Sequence, residues 1–94
     1  MAYYVEKIEM NEGRKDSYHC IDIKYLYIDL YGNGLKAYSK SYIYDYLSNK
    51  PNSIQVNISP FPYLIQAESV YGEKYVRSEP NDSENDNLLK LPRV

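Results

Sequence analysis

The chain has 94 residues, a formal net charge of −2, 26% charged residues and 44% hydrophobic residues. This length predicts a single domain over residues 1–94 with a thin core, because so short a chain buries only about 60–65% of its unfolded surface. The slightly acidic balance makes nucleic acid an unlikely partner, since such binding is typical of domains with a pI above about 9.

Two further classes are disfavoured by composition and hydropathy. A single cysteine excludes a disulfide framework within the chain and any zinc site built from several cysteines. The sequence has neither a run of about 20 apolar residues for a membrane span nor a basic leader followed by an apolar stretch. We therefore expect a cytoplasmic protein without a membrane partner.

Tyrosine is the unusual component, with 13 copies against one phenylalanine and no tryptophan. One explanation is the thin core, in which a ring packs near the surface while its hydroxyl reaches water. The other is a binding surface, because tyrosine offers a large rigid contact area with a polar group. Both explanations stay open at this point.

The first predicted element is a strand over residues 3–10. Val5 and Ile8 have opposite parity along it, so a β-bulge between them is needed to turn both toward the core. The polar residues 11–16, which include Gly13, predict a hairpin loop.

A second strand is predicted over residues 18–28, which give the strongest β signal in the chain. Its polar even positions, Asp22 and Lys24, predict that the odd positions form the buried face, at least until the apolar even positions Leu26 and Ile28. Those odd positions are His19, Ile21, Ile23, Tyr25 and Tyr27. Residues 31–34 contain two glycines and predict a turn.

The next element is the only convincing helix. Ser39 is its predicted N-cap, and Asn49 followed by Pro51 predicts its end. The predicted apolar stripe consists of Tyr42, Ile43, Tyr46 and Leu47. About ten residues are too few for an isolated helix, so we expect it to dock on a sheet.

Three short strands follow the helix, at residues 53–58, 63–67 and 74–77. After a polar stretch, the apolar residues 88–92 are expected to fold back on the body of the protein. The order ββαβββ predicts an α+β domain with a small, curved, mainly antiparallel sheet and one helix on one face.

The polar stretch partly imitates a calcium loop through Asp82, Glu84, Asp86 and Asn87. The glycine that such a loop needs at its sixth position is missing, so we predict a solvated acidic loop and no metal or other cofactor. Asp86 and Asn87 are predicted to have a structural role, in which their side chains bind backbone amides and fix the turn that returns Leu88 to the core.

Two stretches resemble the final part of a small bacterial domain family of unknown function. Residues 74–78 read Lys-Tyr-Val-Arg-Ser and residues 86–92 read Asp-Asn-Leu-Leu-Lys-Leu-Pro. They are similar to the Tyr-Leu-Arg-Thr-like strand and the Asp-Asn-Leu-Leu-x-Leu-Pro ending of that family. Residues 4–8 resemble its first strand, and His19 with Ile21 lies near its His-Ile second strand. The resemblance implies a compact small domain and brings no assigned activity.

This sequence departs from the family pattern at the turn, where Asn81, Asp82 and Ser83 replace a glycine-bearing version.

The sequence contains no recognisable set of catalytic residues. His19 and Cys20 are the only residues of their kinds, and adjacent residues of a strand point to opposite faces, so they are not expected to form a nucleophilic pair.

The candidate contact residues are tyrosines away from the helix stripe or at loop and strand ends, with nearby cations. They are Tyr31, Tyr38, Tyr44, Tyr63, Tyr71, Lys36, Lys40 and Arg77. We predict a small non-enzymatic protein that binds a protein partner or associates with itself. The alternative is a protein that binds a nucleotide-type ligand through tyrosine with arginine or lysine, for example as a phage or bacterial counter-defence sponge.

Overall fold

A computed structural model describes residues 3–80 and 86–94 of the chain. It confirms the α+β class with one helix. The elements in chain order are β1 (Tyr3–Met10), a 3₁₀ helix (Cys20–Asp22), β2 (Ile23–Ile28), β3 (Lys36–Ser39), α1 (Lys40–Asn49), β4 (Ile54–Val56), β5 (Leu64–Glu68), β6 (Lys74–Ser78) and a second 3₁₀ helix (Asn87–Lys90). The predicted acidic loop lies mostly within residues 81–85, outside the described residues. The turn at Asn81, Asp82 and Ser83, where the sequence differs from the family pattern, also lies there.

The strands form two sheets where one was predicted. Four strands lie in the order β3-β2-β1-β4, and β5 and β6 form a separate two-stranded sheet. Most pairings are antiparallel, as expected, but β4 runs parallel to β1 because the helix lies in the connection to it. Strand β3, which comes directly before the helix, was not predicted.

Two irregularities set which side chains of β1 and β2 are buried. Val5 pairs with Ile28 and Lys7 pairs with Tyr27, so the predicted bulge of β1 is present, with Glu6 as its extra residue. In β2 the extra residue is Lys24, because the partners of Met10 and Glu9 are Ile23 and Tyr25.

The second bulge reverses the alternation of β2. Leu26 and Ile28 are fully buried, whereas Tyr25 and Tyr27 are only half-buried. The prediction that the odd positions form the buried face is therefore wrong except at Ile23. Before Ile23, His19 is exposed and Ile21 is only half-buried, and residues 20–22 form a 3₁₀ helix rather than strand.

The helix begins after Ser39, as predicted. The Ser39 hydroxyl accepts a hydrogen bond from the Tyr42 backbone N–H at 3.2 Å. Only Ile43 and Leu47 of the helix are buried, so the core stripe is narrower than predicted and Tyr42 lies outside it. The helix packs mainly on β6 and β5, and also contacts β2 and β3.

The 86–94 segment lies against the core. Leu88, Leu89 and Leu91 are buried in the same cluster as the strand residues. The Ile8 N–H donates to the Pro92 carbonyl at 3.0 Å, and the Val94 N–H donates to the Ile8 carbonyl at 3.0 Å. The segment therefore lies on the same side of β1 as β4 and pairs with β1 beyond the point where β4 ends. Within residues 3–80 and 86–94, no helix has the length and apolar character needed to cross a membrane.

Candidate functional site

Three tyrosines meet where β3 runs into the helix. Tyr31 comes from the loop after β2, Tyr38 from β3 and Tyr42 from the first turn of α1. The rings of Tyr38 and Tyr42 are stacked with centroids 5.3 Å apart, and Tyr31 meets Tyr38 edge-on at 6.2 Å. These distances lie in the range of favourable aromatic pairs. We call Tyr31, Tyr38 and Tyr42 the tyrosine cluster.

The tyrosine cluster faces solvent, but its hydroxyls are engaged within it. Tyr31 and Tyr42 are 57% and 44% exposed, and their hydroxyls share a hydrogen bond. That hydrogen bond, together with partial burial, raises the pKa of Tyr31 to about 12. The pKa of Tyr38 is raised by burial and by its neighbours Tyr42 and Asp29. Tyr31 and Tyr38 therefore present neutral rings at all but strongly alkaline pH.

Strand β3 is an open edge beside this cluster. In the described part of the chain β3 pairs only with β2, and its residues Lys36 and Ala37 are exposed. The opposite edge of the sheet is covered, because the Val56 N–H donates to the Pro62 carbonyl at 2.9 Å and Gln55 forms a bridge with Tyr63. An open edge strand offers unpaired backbone groups to another strand.

Three of the predicted tyrosines do not join the cluster. Tyr44 packs against the core, and the Lys74 ammonium lies 5.2 Å from its ring centroid. Tyr63 is half-buried, and its backbone N–H donates to the Glu79 carboxylate at 3.0 Å. Tyr71 is 95% exposed at the turn between β5 and β6.

The three predicted cations have three different environments. Lys40 donates to the Ile21 carbonyl and forms an ion pair with Glu73, so its charge is already paired within the protein. Lys36 lies on the open edge of β3. Arg77, on β6, lines a cleft between the loop before β2 and the 86–94 segment.

The cleft at Arg77 has a volume of about 270 Å³ and adjoins a shallower hollow in the 13–19 loop. We call it the Arg77 cleft. Its lining residues are Tyr18, His19, Cys20, Ile21, Tyr75, Arg77, Asp86 and Leu89.

Asp86 forms the inner wall of the Arg77 cleft. Its carboxylate accepts from the Ser78 hydroxyl at 2.6 Å, the Ser78 N–H at 3.2 Å and the Leu88 N–H at 2.9 Å. Asn87 is fully buried and donates from Nδ2 to the Ser59 carbonyl at 3.3 Å, so within the described residues its side chain binds a backbone carbonyl and not the predicted amide. Burial, the negative charge of Asp86 and a hydrogen bond to it raise the pKa of the Cys20 thiol.

Two exposed aromatic residues of these regions were not among the predicted site residues. Tyr42 was assigned to the core because it fell on the predicted helical stripe, and the contact with Tyr38 arises only when β3 forms. Tyr18, which is 74% exposed, was assigned to a strand. Its place in a loop of charged residues was the available signal.

A family model described as a protein of unknown function (DUF3892) matches residues 62–92. The match includes both stretches at the end of the chain on which the resemblance was based, and it does not extend to the first two strands. Four of the residues that line the Arg77 cleft, Tyr75, Arg77, Asp86 and Leu89, lie within the matched span. No curated protein and no solved structure matches the chain.

Proposed function

We propose that the protein is a non-enzymatic interaction module that associates with a second copy of itself along the open edge of β3. The observation that carries this proposal is the position of the tyrosine cluster beside that edge. The backbone of β3 offers hydrogen bonds to an added strand, and the rings supply apolar contact area next to it. Their mutual packing limits the side-chain entropy lost on binding.

The sequence of β3 favours a second copy as the added strand. In an antiparallel pair related by a two-fold axis, one residue of the strand faces its own copy. With the small, exposed Ala37 at the axis, Lys36 of each copy lies opposite Tyr38 of the other. This register brings a cation to an aromatic ring and places no like charges opposite one another.

The non-enzymatic part of the proposal is supported by the state of the only thiol. Because the pKa of Cys20 is raised, the thiol stays protonated at neutral pH and is a poor nucleophile. His19 is exposed in the loop before the 3₁₀ helix.

Sedimentation velocity over a range of protein concentrations tests the proposal. A four-residue edge with three rings belongs to small interfaces, below about 1,200 Å² in total, so we expect a weak dimer that dissociates on dilution. Ala37→Lys places two like charges at the axis and should leave the chain monomeric. Asn33→Lys adds the same charge in the preceding loop and should leave the dimer intact. A wild-type chain that is monomeric at every concentration, or an Ala37→Lys variant that still dimerises, contradicts the proposal.

A further inference from the structure

Three adjoining hollows on the side of the Arg77 cleft share one exposed ring. Tyr18 lines the Arg77 cleft of about 270 Å³, the hollow of about 610 Å³ in the 13–19 loop, and a third of about 410 Å³ beside Arg93. Within the described residues, none of the aromatic ring pairs involves Tyr18. An exposed tyrosine in a concave surface is a platform on which a planar ligand can stack.

The charge of this surface is opposite to that of the whole chain. Among the described residues, its lining includes four cationic side chains, Arg14, Lys15, Arg77 and Arg93, and two carboxylates, Asp16 and Asp86. The chain as a whole has a net charge of −2. A concave surface with a local excess of positive charge attracts anionic ligands.

Hydrogen bonding at the inner wall strengthens this preference. The Asp86 carboxylate already accepts hydrogen bonds from Ser78 and Leu88, and its ion pair with Arg77 is a long one, 3.8 Å from Nε. Within the described residues, no hydrogen bond is formed by the two Nη groups of Arg77, whose side chain is 46% exposed. The cleft therefore offers a guanidinium fork, which suits the paired oxygens of a phosphate.

Arg93 holds the two walls of the surface together. Its guanidinium donates to the Lys15 carbonyl at 2.6 Å and to the Leu89 carbonyl at 3.1 Å. These bonds fasten the 13–19 loop to the 86–94 segment. The backbone of the 13–19 loop is thereby tied to the 86–94 segment before any ligand arrives, which lowers the ordering cost of binding.

We propose that this surface binds a nucleoside monophosphate, with the phosphate on Arg77 and the base stacked on Tyr18. Neither component alone accounts for both features, since inorganic phosphate leaves the ring unused and a nucleoside leaves the guanidinium fork unused. The site is separate from the tyrosine cluster, so it does not depend on the proposed dimer.

Amide NMR titrations of the full chain with adenosine monophosphate, adenosine and inorganic phosphate test this site. We expect the monophosphate to shift the amides of Tyr18, His19 and Arg77, and to bind at least about tenfold more tightly than either of the other two, because stacking and charge act together. The proposal is overturned if the monophosphate does not bind, if inorganic phosphate binds as tightly, or if the shifts lie at β3.

Substitutions separate the two contacts. Arg77→Gln and Tyr18→Ser should each weaken binding of the monophosphate by about tenfold or more, whereas Tyr18→Phe keeps the ring and should retain it. Lys7→Gln removes the same charge as Arg77→Gln from an exposed position on β1 and should have no effect. Equal weakening by Lys7→Gln would show that only net charge matters and would overturn the assignment. Amide spectra of each free variant check that its fold is intact.

Discussion

At the scale of single residues, the hydroxyl pair of Tyr31 and Tyr42 couples the tyrosine cluster to pH. A neutral phenol can donate to its neighbour, and ionisation of one hydroxyl is opposed by the hydrogen bond and by partial burial. The pKa of Tyr31 is therefore raised from 10.0 to about 12. Since the folded-state pKa lies above the unfolded value, this contribution to stability is complete below pH 10 and is lost as the pH rises toward about 12.

Tyr42→Phe removes the partner of Tyr31 and should return the pKa of Tyr31 toward 10.0. NMR titration of the ring carbon that bears the hydroxyl measures this value for each tyrosine. Tyr71→Phe is the matched control, because Tyr71 is 95% exposed and lies outside the cluster. An unchanged Tyr31 titration in Tyr42→Phe would contradict the role of the hydrogen bond.

The Asp86 carboxylate joins two elements, because it accepts hydrogen bonds from Ser78 of β6 and Leu88 of the second 3₁₀ helix. Asp86→Ala should lower the free energy of unfolding by about 1–3 kcal/mol, because the donors of the buried residues Ser78 and Leu88 lose their acceptor. The same change should lower the pKa of the Cys20 thiol and speed its alkylation, since the charge and hydrogen bond of Asp86 raise that pKa.

Urea denaturation and the rate of reaction with iodoacetamide measure the two effects of Asp86→Ala separately. The matched control is Asp45→Ala, which removes an exposed carboxylate from the helix. If alkylation is no faster under conditions where the Asp86→Ala variant stays folded, the link between Asp86 and the thiol is wrong.

At the scale of elements, the features that are set by neighbouring residues could be predicted from the sequence. The features that are set by pairing between distant strands could not. The helix was found because its cap, its apolar residues and Pro51 are all close in sequence, and the bulge of β1 was found from the parity of Val5 and Ile8. Strand β3 was missed because Lys36–Ser39 shows no apolar alternation and is a strand through its pairing with β2. The end of the alternation at Leu26 and Ile28 could be expected from their apolar side chains, but the bulge at Lys24 could not, because it is defined by the register with β1.

The same distinction applies to the candidate surfaces. Tyr31 and Tyr38 were identified as contact residues and do lie together, but Tyr42 was not, because its position depends on β3 forming. Arg77 was identified from its charge alone. Its relation to Tyr18 requires the 86–94 segment to fold back beside the 13–19 loop, which no short sequence pattern encodes.

Ser39 links two elements, since it ends β3 and caps α1. Ser39→Ala should lower the free energy of unfolding by about 0.5–2 kcal/mol, as expected for the loss of an N-cap. Ser39→Asp restores an acceptor for the Tyr42 N–H and adds a negative charge at the helix N-terminus, so it should recover most of that loss. Urea denaturation compares the three chains, and equal stability of Ser39→Ala and wild type would show that the cap is dispensable.

At the scale of the whole molecule, the helix and both sheets share one apolar cluster, to which the 86–94 segment contributes three leucines. The Arg77 cleft lies where the 86–94 segment meets β6 and the 13–19 loop. Its shape therefore depends on the same contacts that complete the core.

This dependence predicts that the 86–94 segment unfolds together with β1 rather than separately. Leu88 is fully buried, and Leu88→Ala should cost about 2–5 kcal/mol while leaving a single unfolding transition. Val94→Ala, at a position that is 51% exposed, should change stability little.

Hydrogen exchange gives the sharper test, because the Val94 N–H is bonded to the Ile8 carbonyl and the Ile8 N–H to the Pro92 carbonyl. If both amides open only with the whole protein, they exchange with the global free energy of unfolding. Much faster exchange of the Val94 and Ile8 amides than of the other β1 amides would mean that the segment detaches on its own, and the wall of the Arg77 cleft with it.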